Sequence, residues 1–149
     1  MMRLRPAESG DASGIRALLE RNGLPTSDLA SAHPEFVVAY EGENLKGAGA
    51  LERFGATALL RSVVVADDRR GAGVGQSIVR ELERRARAEG VKELVLLTQT
   101  SAPFFQRQGY RVIERSSVPQ AVGMSEEFRS LCPASATCMA KVLADSPPG

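Results

Sequence analysis

Two cysteines and a single histidine are all that this 149-residue chain offers to disulfide or soft-metal chemistry. Cys132 and Cys138 build neither a disulfide framework nor a four-ligand zinc pattern. No metal is expected, and the thiols read as reduced, small buried side chains. His33 stands before Pro34, and its plainest reading is a loop residue. An excess of charge is missing too: Lys+Arg 19 against Asp+Glu 18 leaves +1. The arginines are scattered, so nothing points to nucleic acid or an acidic membrane. No apolar run approaches the ~20 residues of a membrane span, and "MMRLRPAESG" lacks the apolar core of a secretory signal. Repeats, linkers and low-complexity tracts are absent as well. The expectation is a cytoplasmic protein with one domain over 1–149 and a frayed tail at 145–149.

What the chain does have is periodicity. "MRLRPAE" (2–8) reads as a strand closed by Pro6. Ser9 or Asp11 is placed to cap a helix whose buried face is Ile15, Leu18 and Leu19 and whose stop is Gly23. "LPTSDLASAHP" (24–34) leaves a short helix open, ending before Pro34. "EFVVAYEG" and "LKGAGALERF" read as strands joined by the turn 41–44, and "GATALLRSVVVADD" (55–68) as another strand. "VGQSIVRELERRARAEG" (74–90) carries an apolar stripe of Val74, Ile78, Val79, Leu82 and Ala86, with Gly90 as its stop. "VKELVLLTQT" is a buried strand, and Ser101 is placed to cap the short helix "APFFQRQ". "YRVIERSSV" (110–118) is a strand, Ser125 to Leu131 one or two helical turns, and "SATCMAKVLA" a last strand. An antiparallel start leading into a β-α-β unit makes an α/β (α+β) fold: a mixed sheet with helices packed on it.

The informative junction is "DDRRGAGVGQ" (67–76), between a buried strand and the strongest helix. A P-loop needs a Lys-Ser/Thr pair after its last glycine, and here Gln76-Ser77 follows Gly75. A dinucleotide fingerprint needs a third glycine at position 76 and an acid near the end of the next strand, where this chain has Thr98 and Thr100. The pattern Arg/Gln-x-x-Gly-x-Gly is met in full by Arg70-Gly71-Ala72-Gly73-Val74-Gly75. Glycines let successive N–H groups face one concavity, and the following helix adds its positive dipole end. Such a loop binds a pyrophosphate without a metal, with Arg69 and Arg70 adding charge at its rim.

With "LLRSVVVADDRRGAGVGQSIVRELERRA" and "LVLLTQTSAPFFQRQGYRVIER", the chain resembles the GNAT superfamily of acyl-CoA-dependent N-acetyltransferases over nearly its whole length. That resemblance implies a twisted, mostly antiparallel mixed sheet with helices on both faces and splayed fourth and fifth strands. It implies acetyl-CoA as co-substrate. Val63, Val64 and Val65 would pair with the pantetheine arm, the loop from Arg70 to Gly75 would hold the pyrophosphate, and Gln76 and Phe105 would line the cofactor site. A backbone N–H near Val63 would polarise the thioester carbonyl, and the amine would attack directly, without an acyl-enzyme. Many family members carry a tyrosine where this chain has Phe105, in "FFQRQGY", to reprotonate the CoA thiolate. Tyr110 is then an acid candidate or a packed core ring, with Ser101 or a water as substitutes. "LLTQTSAPFFQRQGY" and "EEFRSLCPASATCMAK" further resemble the small acetyltransferases associated with arsenic resistance and the acetyltransferase domain of N-acetylglutamate synthase. These imply a small-molecule acceptor, the α-amine of a glutamate-like amino acid such as arsinothricin.

The side chains that would read that acceptor are open to two readings each. Arg61, a charge inside an apolar strand, is aimed at a substrate carboxylate or held in an exposed or structural ion pair. Period-2 alternation puts it on the same face as Val63. Arg107 and Arg115 are candidates for a second carboxylate or are solvated. Thr98 and Thr100 bond the acceptor or only the backbone, and Glu52 orients a base water or is a solvated strand charge. Two other functions stay open: an acetyl-CoA-binding regulatory protein without catalysis, and an acetyltransferase of protein or peptide amines. A homodimer stays open too.

Overall fold

The computed structural model describes residues 2–132 and 134–143; the tail expected at 145–149 lies outside the described residues. The chain folds as two compact units, Met1–Glu52 with Leu60–Arg84 and Arg53–Leu59 with Arg85–Gly149.

In the first unit, strand β1 (Met2–Pro6) pairs antiparallel with β2 (Glu35–Glu41), and β2 with β3 (Asn44–Phe54). Strand β4 (Thr57–Val65) begins in the second unit and ends in the first. Helix α1 (Ala12–Arg21) buries Ile15, Leu18 and Leu19, as its periodicity predicts, in a cluster with Val38, Ala48 and Val64. Asp11 does not cap α1 with its side chain. Its carboxylate turns back to the Glu8 N–H at 2.7 Å and to the Arg5 fork at 2.8 and 3.1 Å, and Tyr40 donates to it at 2.7 Å. A full positive charge outcompetes the helix N–H groups for that carboxylate.

The predicted stripe holds in helix α3 (Val74–Ala88), where Val74, Ile78, Val79, Leu82 and Ala86 are all buried. Two glycines of β3 admit this helix. A Cβ on Gly49 would sit 2.7 Å from Ile78 Cγ2, 3.0 Å from Leu82 Cδ1 and 3.4 Å from Val63 Cγ2, and one on Gly47 would sit 2.7 Å from Ile78 Cδ1. Gly47 and Gly49 therefore face α3 while Ala48, between them, packs with α1. Alternation along a strand puts a helix on each face of the sheet in this unit.

In the second unit, β5 (Glu93–Thr98) pairs in parallel with β4 over Thr57–Leu59 and Glu93–Val95, and antiparallel along its length with β7 (Thr137–Val142). Leu59, Val95, Val122, Phe128, Cys138 and Ala140 form its core. The strand expected over 110–118 is much shorter. Strand β6 is Arg111–Val112, paired to Ala140 and Met139. The Ser117 hydroxyl donates to Glu114 O at 2.7 Å and closes a tight turn there, which ends the extended run. Helix α4 is Ala102–Arg107, α5 is Gln120–Gly123, and a π-helical turn spans Glu127–Leu131 within the stretch expected to be helical.

Candidate active site

The glycine loop lies wholly in the first unit. Gly71 and Gly73 have φ of 81° and 83°, the left-handed region in which a side chain is disfavoured. They turn the chain from Arg70 into α3, where Ser77 N–H donates to Gly73 O at 3.1 Å. The N–H groups of Val74, Gly75 and Gln76 precede that bond, at the positive end of a fifteen-residue helix. Side chains tie the approach to this loop down. Lys46 Nζ donates to Asp68 at 2.8 Å, Arg69 pairs with Glu41, and Arg70 bonds Asn22 and meets Asp67 at 3.0 Å. The hydrogen bond from Lys46 holds the Asp68 carboxyl below the usual carboxylate range, and Arg69 does the same for Glu41. The side chains of Arg69 and Arg70 thus anchor the loop, and its glycine backbone is left exposed.

Strand β4 leads toward the loop and contains a constrained peptide. Ser62 has φ of 59°, a left-handed conformation for a non-glycine residue inside a strand. The alternation breaks there. Val63 Cγ2 lies on the α3 side, near Gly49, and Val64 packs with α1. Arg61 meets Glu52, two residues beyond Ala50 and four beyond Ala48 on the α1-facing set of β3. The expectation that Arg61 and Val63 share a face is thus corrected: a left-handed residue inserted between them puts them on opposite faces.

Arg61 is sealed, with no side-chain exposure. Its Nη1 and Nη2 donate to the two oxygens of Asp28 at 2.6 and 2.7 Å, Nη1 also donates to Glu52 Oε1 at 2.9 Å, and Nε lies 3.4 Å from Ser62 Oγ. A substrate carboxylate would have to displace Asp28 from that fork. Asp28 is the residue that sequence reasoning missed. It directly precedes α2 (Leu29–Ala32), which ends at His33 in the left-handed region just before Pro34. An Asp at that position usually caps its helix, a bond worth about 1 kcal/mol. Asp28 makes no such bond, and its carboxylate serves Arg61 instead. Glu52 is not a solvated strand charge; its side chain is 14% exposed and bonded to Arg61.

The remaining candidates belong to the second unit. Thr98 Oγ1 accepts the Ser101 N–H at 3.0 Å, so it bonds the backbone. Ser101 starts α4 without a side-chain cap bond, because its ψ of 18° departs from the extended shape that aims a cap oxygen. Phe105 and Tyr110 are buried and meet edge to face, with centroids 5.7 Å apart. Lys141 Nζ lies 5.6 Å from the Tyr110 ring centroid and donates to Gln108 O at 2.8 Å. Arg115 donates to Phe128 O at 2.8 Å with its guanidinium over the Phe128 ring. Thr100 and Arg107 are exposed. Burial pushes the Cys138 thiol up, and the nearby Arg115 charge partly offsets this. Among the described residues, no three His, Cys, Asp or Glu side chains gather as metal ligands, and no helix is long and apolar enough to cross a membrane.

An exposed glycine turn leading from a strand into the N-terminus of a long amphipathic helix has the backbone chemistry that suits an anionic ligand. The family model of the acetyltransferase (GNAT) domain matches residues 32–112, and the chain belongs to that family. Over 80 residues it is 38% identical to the uncharacterized N-acetyltransferase YjcF of Bacillus subtilis (strain 168), an alignment covering 53% of this chain and 57% of that protein. Among solved structures, N-acetylglutamate synthase from Neisseria gonorrhoeae, complexed with coenzyme A and N-acetyl-glutamate, matches 97% of this chain with a TM-score of 0.83 and 21% identity. The match takes in only 35% of that longer chain. Rv2747 from Mycobacterium tuberculosis, complexed with CoA and NLQ, matches with a TM-score of 0.81 and 26% identity, over 95% of this chain and 99% of its own.

Proposed function

We propose that this chain transfers the acetyl group of acetyl-CoA to the amine of a small molecule, by direct attack and without an acyl-enzyme. The observation that carries the reading is the loop Arg70–Gly75, with left-handed Gly71 and Gly73 ahead of α3. Backbone N–H groups there suit the pyrophosphate of coenzyme A, and Val63–Val65 on β4 suit its pantetheine arm. The Val63 N–H polarises the thioester carbonyl. As the amine nitrogen bonds to the carbonyl carbon, negative charge builds on that oxygen; the C–S bond then breaks, and the thiolate takes a proton. Glu52 is the carboxylate of the first unit that would orient a water to take the amine's proton. Tyr110 and Ser101 are the candidates for the returning proton, since Phe105 has none to give.

The resemblance, together with one structural neighbour, supports a reading of the acceptor class. One matched structure is a synthase of N-acetylglutamate holding coenzyme A and N-acetyl-glutamate. We take the acceptor to be the α-amine of a glutamate-like amino acid, with arsinothricin among the candidates. With Arg61 bound to Asp28, Arg107 and Arg115 become the first arginines to test against its carboxylate. The test is a free-thiol assay of CoA release with arsinothricin, phosphinothricin, glutamate and a peptide amine. Release with a glutamate-like acceptor is the expected result. Release with the peptide alone would move the activity to protein amines. Acetyl-CoA binding with no release on any acceptor would make Phe105 the mark of a binding protein.

A further inference from the structure

We propose that Asp28 is a positioning residue for acyl transfer: by clamping Arg61 it holds the left-handed turn at Ser62, and with it the direction of the Val63 N–H. The inference rests on the acetyl-CoA reading above. The N–H of Val63 belongs to the peptide that joins it to Ser62, so the Ser62 conformation aims it. Ser62 holds φ of 59° inside a strand, a conformation that an L-residue leaves unless its neighbours hold it there. The neighbours that do so are in view. Arg61, one residue back, is gripped from β3 by Glu52 at 2.9 Å and from the start of α2 by Asp28 at 2.6 and 2.7 Å, and its Nε reaches the Ser62 hydroxyl at 3.4 Å. The Asp28 side chain is 3% exposed and Arg61 not at all, so water has little access to loosen the grip. Asp28 also forgoes its own helix cap to make these bonds. The clamp links the 24–34 segment to the peptide beside the thioester, so the order of the one conditions the chemistry at the other.

The test reads the carbonyl directly. Isotope-edited infrared spectra of acetyl-CoA carrying 13C at the thioester carbonyl are recorded free and bound to the full chain. Bound to the native protein, the C=O stretch should move to lower frequency, as a hydrogen-bonded carbonyl does. In Asp28→Asn, which keeps the shape and loses the charge, the shift should shrink, and in Asp28→Ala it should vanish. The affinity for CoA alone, measured by calorimetry, should stay within about twofold, since the loop that holds the pyrophosphate is untouched. With an acceptor, kcat of Asp28→Asn should fall roughly tenfold or more at unchanged KM for acetyl-CoA, short of the ~10²–10³ loss when such a donor is deleted. Glycine is at ease in the left-handed region, so Asp28→Ala with Ser62→Gly should recover part of the shift. A full carbonyl shift and native kcat in both Asp28 variants would overturn the proposal and leave Asp28 a structural ion pair. Native protein that binds acetyl-CoA without any carbonyl shift would also overturn it while sparing the cofactor reading. Native protein that binds neither acetyl-CoA nor CoA would overturn both.

Discussion

Among the arginine–aspartate pairs of the first unit, the two that join fork to carboxylate have nearly the same geometry and very different surroundings. In each, two guanidinium nitrogens meet the two oxygens of a buried carboxylate: Arg61 with Asp28, and Arg5 with Asp11. The Arg61 side chain has no exposure, whereas 35% of Arg5 remains in solvent and its guanidinium lies 5.0 Å from the centroid of the Tyr40 ring. Asp11 is also held by the Glu8 N–H and the Tyr40 hydroxyl. Among the described residues, the Asp28 carboxylate takes its side-chain bonds from Arg61, and Arg61 in turn carries Glu52. The lesson concerns what each pair is for. Asp11 knits β1, β2 and the start of α1 together at the rim, where water shares the load. The Asp28–Arg61 pair lies where desolvation is severe, and it stands beside Ser62, a strand residue held in the left-handed region.

Breaking one partner of each pair should separate these roles. Arg61→Met leaves two carboxylates without their shared cation and should cost about 3–5 kcal/mol of stability in urea unfolding. Adding Asp28→Asn to it should return part of that loss, because an uncompensated charge is then removed. Asp11→Asn should cost less, about 2 kcal/mol at neutral pH, since it weakens several bonds to a charged acceptor of which one partner is partly solvated. Its signature is in the pH dependence. Hydrogen bonds, from Arg5 first and then from the Glu8 N–H, hold the Asp11 carboxyl well below the usual carboxylate range. A lowered value means stability that is complete above about pH 5 and lost as the pH falls. Urea midpoints between pH 6 and pH 3 should therefore drop more steeply in the native chain than in Asp11→Asn. Tyr40→Phe removes one of the bonds and should cost about 1 kcal/mol. Smallest of all, Arg5→Lys keeps the positive charge beside Asp11 but gives up one bond of the fork, and should cost about 0.5 kcal/mol. An Arg5→Lys loss as large as that of Arg61→Met would erase the distinction between the two pairs.

The parts of this molecule that were legible in its sequence are those fixed by near neighbours. The α3 stripe is a 3.6-residue period, and the Arg70–Gly75 loop is six consecutive residues whose glycines mark the backbone they need. Arg61 announced itself as a charge in an apolar strand. Its partner Asp28 lies 33 positions away, at the head of a four-residue helix that local pattern barely marks. Serine is no signal of a left-handed residue, so nothing local marks the break at Ser62, and simple alternation reverses the facing of Arg61. Strand β6 is shorter than its sequence pattern for a related reason. "YRVIERSSV" has the composition of a strand, and only the turn at Glu114–Ser117 and the short pairing with β7 show where it stops.

The close approach of α3 to Gly47 and Gly49 bears on how tolerance to change should be read in this chain. A methyl at position 49 would lie 2.7 Å from a branch carbon of Ile78, in a packed layer where an added carbon costs about 1–3 kcal/mol. In a library of all single variants scored for activity, this glycine would rank among the least replaceable positions while touching no reactant. A map of indispensable residues would then mark both the chemistry and the seam between strand and helix. Only a parallel score for folded protein, such as soluble yield, would tell the two apart.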